Sequence, residues 1–486
     1  MDTELEAHVI AGIITGIILI IDFIVRLFLI FYIPRDRKPT AALAWLFAIY
    51  ITPVIGTIFF LVIGSTRLSR YRRAMQRYIN QAYQRYNRNL RSAGLVAKID
   101  PEYKSTAKLA ESLAFLAPTS SNKVTVMNGY DDIIRSMTYA VDQAQHYVYV
   151  EFFAMTLDEA TTTFFDALDR SIQRGVQVYV LFDMMGSRKY KGYKPMMKRL
   201  TAMGAQWSKM LPIRFSPKHY NRPDLRNHRK ILVVDNNDAF LGSLNMIDKT
   251  YHRKDSIYYV ELVAHLEGPA VNESAAVFAS DWYAETGEML KHFMINSQKD
   301  VKGKSDVQIL PSGPGYLYRN NLKVFVNLIN GAQTSVVITN PYLVPEESLL
   351  SAITSASLRG VNVSILNSEA MDQWMVGHAQ RSYYEELLKA GVTISLHKKP
   401  LLVHSKYMVI DEKIAIVGSS NLDVRSFELN QECSIIVYDK KIAHKLHKQH
   451  TTDLIKCSQQ TLAHWRMRSQ WSKFLDSIAR LTSALQ

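Results

Sequence analysis

The hydrophobic pattern changes character along the chain. Residues 9–33 form a 25-residue apolar run interrupted only by Asp22 and Arg26, and residues 41–64 form a second run of 24 with no charge. As helices rising ~1.5 Å per residue, both are long enough to cross ~30 Å of hydrocarbon. Asp22 and Arg26 stand at i,i+4, where an acid and a base neutralise each other on one helix face. Pro53 and Gly56 fall near the middle of the second run, a pattern that also accommodates a kinked or re-entrant segment. The first eight residues carry Asp2, Glu4 and Glu6, the wrong charge for a cleaved signal, and a second apolar run follows at once. Two N-terminal transmembrane helices are therefore expected.

Beyond residue 118 the pattern shortens to strand-length runs alternating with helical stretches, and it occurs twice. Residues 147–153 and 178–182 read as strands around Arg174-Gly175-Val176, and residues 336–339 and 363–366 as strands around Arg359-Gly360-Val361. Each half then has a helix ending in a turn glycine: Leu200 to Gly204, and Leu387 to Gly391. This predicts α/β sandwich halves, each with a largely parallel sheet, related by a pseudo-dyad. The expected organisation is 1–64 transmembrane hairpin, 65–118 basic juxtamembrane linker, 119–297 first half and 298–486 second half, with the boundary in the polar stretch 296–305.

Composition excludes some classes. With 486 residues, 48% of them hydrophobic and 21% charged, the chain buries a core, and its mean hydropathy of −0.08 is too low for a polytopic transporter. The net charge of +14 points to anionic partners. Two cysteines, Cys433 and Cys457, do not make a disulfide framework. Arg67, Arg70, Arg72, Arg73, Arg77, Arg85, Arg88 and Arg91 follow the second run without an acid among them, against Arg35, Arg37 and Lys38 in the connector. That bias places the C-terminal part in the cytoplasm. Tyrosines 71, 78, 83 and 86 interleave the arginines, and the position next to a membrane run favours anionic lipid over single-stranded nucleic acid as partner.

Each half carries one constellation at identical offsets. The first is His228-x-Lys230-x4-Asp235-x6-Gly242-Ser243-x-Asn245, and the second is His404-x-Lys406-x4-Asp411-x6-Gly418-Ser419-x-Asn421. ILVVD and YMVID read as strands, so His and Lys at i and i+2 face the same way. The Gly-Ser turn brings Ser and Asn back beside them. An imidazole supplies a nucleophile or an acid, while Lys and Asn donate to non-bridging oxygens, which is a phosphoryl-binding inventory. Neither motif offers a second His or Cys at ligand spacing, so no metal is expected. Asp235 and Asp411, at strand ends, read as turn-binding supports.

The paired H-x-K-x4-D motifs resemble the phospholipase D superfamily. With the apolar N-terminus, the chain resembles bacterial cardiolipin synthases over nearly its whole length. Further matches are Asp224-Leu225-Arg226-Asn227, Glu267-Gly268-Pro269, Ser312-Gly313-Pro314 and Asn421-Leu422-Asp423-x-Arg425-Ser426-Phe427. Glu261 stands where many members have Asp, and Gln431 where an aromatic is usual. The resemblance implies phosphatidyl transfer between two phosphatidylglycerols, giving cardiolipin and glycerol in the bacterial inner membrane with no cofactor. It implies His228 as nucleophile forming a phosphohistidine and His404 as acid/base. Lys230, Lys406, Asn245 and Asn421 would hold phosphoryl oxygens, with Ser243 and Ser419 adding hydrogen bonds. A carboxylate would orient each His; Glu261 lies 33 residues after His228, Glu432 lies 28 after His404, and Glu428 competes with Glu432. The residues alone leave open a lipid hydrolase or headgroup transferase, and a nuclease, which the membrane runs disfavour. Near the C-terminus, Trp465, Trp471, Phe474, Leu475, Ile478 and Leu481 among basic residues fit an amphipathic helix, lying on the membrane or packed on the body. His444, His447 and His450 read as solvated.

Overall fold

The computed structural model describes the chain except residues 1, 66–67, 214–219, 253–255, 291–302 and 484–486. It forms two compact units, Met1–Arg67 and Leu68–Gln486. Most of the expected boundary at 296–305 lies outside the described residues.

In the first unit, the segment His8–Arg35 is helical, apolar and 28 residues long, enough to cross a bilayer. The Asp22–Arg26 pair forms as expected, at 2.5 Å. The second run takes the kinked form that Pro53 and Gly56 allow rather than one continuous spanning helix. It breaks into Pro39–Ile51 and Pro53–Ile63, of 13 and 11 residues, or about 20 and 17 Å at the helical rise. Proline lacks an N–H and pushes the preceding residue out of the helical region, and Thr52 accordingly sits at φ −126°, ψ 78°. Neither piece is long enough to span alone.

The second unit is built on one continuous sheet. From one edge the first half runs Gln206–Met210, Gln177–Asp183, Tyr147–Phe152, Lys230–Val234, Asp238–Gly242, Leu262–Glu267, Thr119–Asn128. From the opposite end, inside an added antiparallel edge strand Cys457–Gln460, the second half runs Thr393–His397, Asn362–Ser368, Ser335–Thr339, Tyr407–Ile410, Ile414–Gly418, Asn430–Tyr438, Ser305–Ser312. The order is the same in both, and Thr119–Asn128 pairs antiparallel with Ser305–Ser312 where the halves join. The expectation of a largely parallel sheet is corrected: within each half only the first three of these seven strands, joined by helical crossovers, pair in parallel. The motif strands return antiparallel. The cause is a tight turn after each one, with Asp235-Asn236 and Asp411-Glu412 all at positive φ, as type I′ connections require.

Helix Ala270–Thr286 is buried along Ala270 to Trp282, and Tyr149 stacks on its Phe278 at 4.6 Å. This helix is buried on every side, polar Asn272, Glu273 and Asp281 included, and so is a core helix by packing rather than by composition. Helix Arg70–Ser92 packs one face on this body: Tyr83 donates to the Ala276 carbonyl at 3.1 Å and Asn87 to that of Phe115 at 3.0 Å. Helix Gln470–Leu481 packs one face on the body. Asp476 is buried and bonds His378 at 2.7 Å, while Trp471, Phe474, Ile478 and Leu481 face outward. His450 is not solvated: helix Lys440–Leu454 turns it onto the sheet, where it bonds Thr339 (3.0 Å) and Ser364 (2.8 Å).

Candidate active site

Strand alternation puts His228 with Lys230, and His404 with Lys406, at the same end of their strands. The aspartates sit at the other end, five positions beyond each lysine, or about 16 Å along an extended strand. Asp235 accepts from the backbone N–H of His146 (2.8 Å) and Tyr147 (2.7 Å). Asp411 accepts from those of Gln333 (2.9 Å), Thr334 (2.7 Å) and Ser335 (2.9 Å). Both therefore tie the loop before the neighbouring strand. Burial alone would raise the Asp411 carboxyl, but these amides hold it below the usual carboxylate range. Its contribution to stability is thus complete at neutral pH and is lost as the pH falls through the lowered value. Asp411→Ala should cost about 3 kcal/mol, read by denaturant melts. An inactive variant of unchanged stability would instead put Asp411 in the chemistry.

The histidines are positioned across the two halves. Arg226–Asn227 pairs in parallel with the start of Asn430–Tyr438, and the His228 amide donates to the Gln431 carbonyl at 2.8 Å. Leu401–Val403 pairs in parallel with Tyr258–Val260, and the His404 amide donates to the Val260 carbonyl at 2.9 Å. The residue after each acceptor is a glutamate. His228 Nδ1 therefore meets Glu432 at 3.0 and 3.1 Å, and His404 Nδ1 meets Glu261 at 2.9 and 3.0 Å. Each carboxylate comes from the other half. Engaging Nδ1 leaves Nε2 as the reactive nitrogen of both rings. Glu428 pairs with Arg319 at 3.1 Å.

The remaining motif residues divide. Lys230 Nζ donates to the His228 carbonyl at 2.7 Å and Lys406 Nζ to that of His404 at 2.6 Å, leaving further N–H bonds on each ammonium. Ser243 and Ser419 give their hydroxyls to Glu261 and Glu432, so they fix the carboxylates. Asn245 accepts from the Ala154 amide at 3.2 Å and donates to the Tyr251 hydroxyl at 3.2 Å. Asn421 Oδ1 is buried without a hydrogen-bond partner among the described residues.

All four basic side chains are buried. Burial pushes both imidazoles down. His228 goes well below its ordinary value, with Lys230, Lys406 and His404 adding to the effect, whereas Glu261 opposes the drop at His404. Burial also brings Lys230 down to about 7 and Lys406 to about 8. Glu432 is raised to about 7 by burial, while Glu261, equally buried, is held low chiefly by His404. Among the described residues no three His, Cys, Asp or Glu side chains converge as a metal would need.

Several neighbours carried no sequence signal. Phe153 packs edge-on against His228 at 4.9 Å, and Tyr259 against His404 at 5.2 Å. Asp372 accepts from the Tyr259 (3.0 Å) and Tyr342 (2.6 Å) hydroxyls. Arg229, between His228 and Lys230, is buried, donates to the Glu432 carbonyl at 3.0 Å and pairs with Asp281. Strand alternation could have placed Arg229 on the inward face.

A family model described as "Cardiolipin synthase, PLD-like domain" matches residues 137–282 and 325–454. A cardiolipin synthase of Halalkalibacterium halodurans is 31% identical over 459 residues, covering 93% of this chain and 90% of that protein. One from Alkalihalophilus pseudofirmus is 30% identical over 458 residues, with coverage of 93% and 90%. Among solved structures, the phosphatidylserine synthase of Haemophilus influenzae matches with a TM-score of 0.60 at 14% identity, over 80% of this chain and 100% of that one. At that identity the likeness concerns the fold.

Proposed function

This chain belongs to the family of cardiolipin synthases with phospholipase D-like domains, and we propose that it is a phosphatidyltransferase joining two phosphatidylglycerols into cardiolipin with release of glycerol. The observation that carries this reading is the crossed pair of buried His–Glu couples, one imidazole from each half and each backed by a lysine. In the first step His228 Nε2 attacks phosphorus, the bond to the glycerol oxygen breaks, and His404 gives that oxygen its proton. In the second, His404 takes the proton of the second lipid's glycerol hydroxyl, whose oxygen attacks phosphorus as the P–N bond breaks. One phosphodiester is lost and one gained, so no outside energy source is needed.

The electrostatics support these roles. His228 is the more strongly depressed ring and enters as a neutral nucleophile, while the low Glu261 carboxylate opposes the drop at His404, the ring that must carry the proton. Lys230, Lys406 and the asparagines meet the charge that builds on the non-bridging oxygens. The halves are related by a pseudo-dyad, with the division 119–297 and 298–486 and with 65–118 leading in from the membrane segment 1–64. The apolar unit anchors the protein in the bacterial inner membrane. Arg70, Arg73, Arg77, Arg85 and Arg88 form an exposed stripe on helix Arg70–Ser92, which supports a cytoplasmic catalytic unit resting on anionic lipid.

The test is purified full-length protein in detergent with phosphatidylglycerol as sole substrate, read by mass spectrometry. Cardiolipin and glycerol in equal amounts are expected, undiminished by EDTA. Phosphatidic acid alone, or loss of activity in EDTA, contradicts the reading. Substrate binding favours the charged lysines, so kcat/KM should fall as pH rises through about 7 to 8, the values of Lys230 and Lys406. Lys230→Arg, charged throughout this range, should move that fall to higher pH. A profile flat to alkaline pH would remove the lysines from phosphate binding.

A further inference from the structure

The two ends of the second apolar run touch. Arg37, just ahead of it, donates to the carbonyl of Gly64, its last residue, from Nε at 3.2 Å and from a terminal guanidinium nitrogen at 3.0 Å. The same guanidinium donates to the Ile33 carbonyl at 2.9 Å and lies 4.8 Å from the centre of the Phe60 ring. A helix crossing the hydrocarbon between these positions would hold its ends ~30 Å apart. Here the chain turns at Thr52–Pro53 into two arms of 13 and 11 residues, which reach about 20 Å at most.

The turn is a built feature. A Cβ on Gly56 would lie 2.6 Å from the Ala48 carbonyl oxygen and 2.9 Å from the Ile49 Cα, so this glycine lets the arms meet backbone to backbone. Thr52 donates its N–H (3.0 Å) and its hydroxyl (2.8 Å) to the Ala48 carbonyl, and Gly56 N–H donates to the Thr52 carbonyl at 2.6 Å. Pro53 brings no N–H to satisfy. Backbone groups paired in this way can enter hydrocarbon. The side chains turned outward on both arms, Leu43, Phe47, Val54, Ile58 and Leu61 among them, are apolar and exposed.

We infer that residues 39–63 dip into one leaflet as a re-entrant hairpin, packed among its acyl chains, and return to the face they entered, leaving His8–Arg35 as the crossing segment of this unit. This resolves a conflict in the charge pattern. With two crossings, Arg35, Arg37 and Lys38 would lie opposite the arginines that follow residue 69. With one crossing, both basic groups share a face and the acidic Asp2, Glu4 and Glu6 lie on the other. That the shared face is cytoplasmic rests on the function proposed above; that the face is shared does not.

The test is labelling of the full-length protein in closed spheroplasts with a membrane-impermeant polyethylene glycol maleimide, counted by gel shift over the parent chain with Cys433 and Cys457. Single cysteines replace Glu6, Lys38 or Ser65, with Arg35→Cys as a second connector position. Lys38→Cys and Ser65→Cys should both stay below about a tenth labelled until permeabilisation, while Glu6→Cys reacts at once. Reaction of Lys38→Cys and Arg35→Cys in closed spheroplasts with Ser65→Cys protected would overturn the hairpin. Reaction of both Lys38→Cys and Ser65→Cys in closed spheroplasts would support the hairpin and overturn the cytoplasmic assignment.

Discussion

Alanine at His228 or at His404 should lower turnover of phosphatidylglycerol by about 10⁴-fold or more, because each removes a group that forms a bond to phosphorus or moves its proton. The two losses should differ in kind. A phosphodiester whose leaving group departs as a stable anion needs no proton from His404. On such a substrate His404→Ala should still release the leaving group once and then stall with the phosphatidyl group on His228, visible as a mass increase on that peptide. His228→Ala should show neither burst nor adduct. If the adduct instead appears on His404 in His228→Ala, the nucleophile and acid are exchanged.

The glutamates should separate in the same way, but crosswise. Glu261→Gln and Glu432→Gln preserve shape and remove the charge beneath an imidazole, and each should reduce kcat by about 10²- to 10³-fold. Glu261 bonds His404, so the Glu261→Gln deficit should shrink on the activated leaving group. Glu432 bonds His228, so its deficit should persist there. A purely structural role for either residue would give equal losses on both substrates, accompanied by a lower melting temperature. If Glu261→Gln behaved as a His228 defect, the crossed pairing would be wrong.

The candidate site was legible because strand alternation converts H-x-K into a shared face, and duplication at equal offsets separates a motif from chance. The reading of Asp235 and Asp411 as turn supports rested on their place at strand ends, where an Asp commonly accepts from turn amides. The crossing was not legible. His228 and Glu432 are 204 residues apart, and His404 and Glu261 are 143 apart. The strands that join them, Arg226–Asn227 and Leu401–Val403, are too short to leave a periodic trace. The hydroxyls of Ser243 and Ser419 lie on the right side of the sheet but go to carboxylates, a choice set by partners that local pattern does not contain. The antiparallel return of the motif strands was signalled by Asp235-Asn236 but hardly by Asp411-Glu412, where a non-glycine pair adopts positive φ. In the apolar region Pro53 marked the break. The contact of Arg37 with Gly64 depends on three dimensions.

The stereochemical course at phosphorus tests the two-imidazole account most directly. A phosphatidylglycerol made chiral at phosphorus with oxygen isotopes would be converted by the purified protein and the configuration of the cardiolipin phosphate read by NMR. Two successive in-line displacements, by His228 and then by the second lipid's hydroxyl, predict retention. Inversion would mean one direct displacement with no phosphohistidine, and would contradict the central role given to the paired histidines.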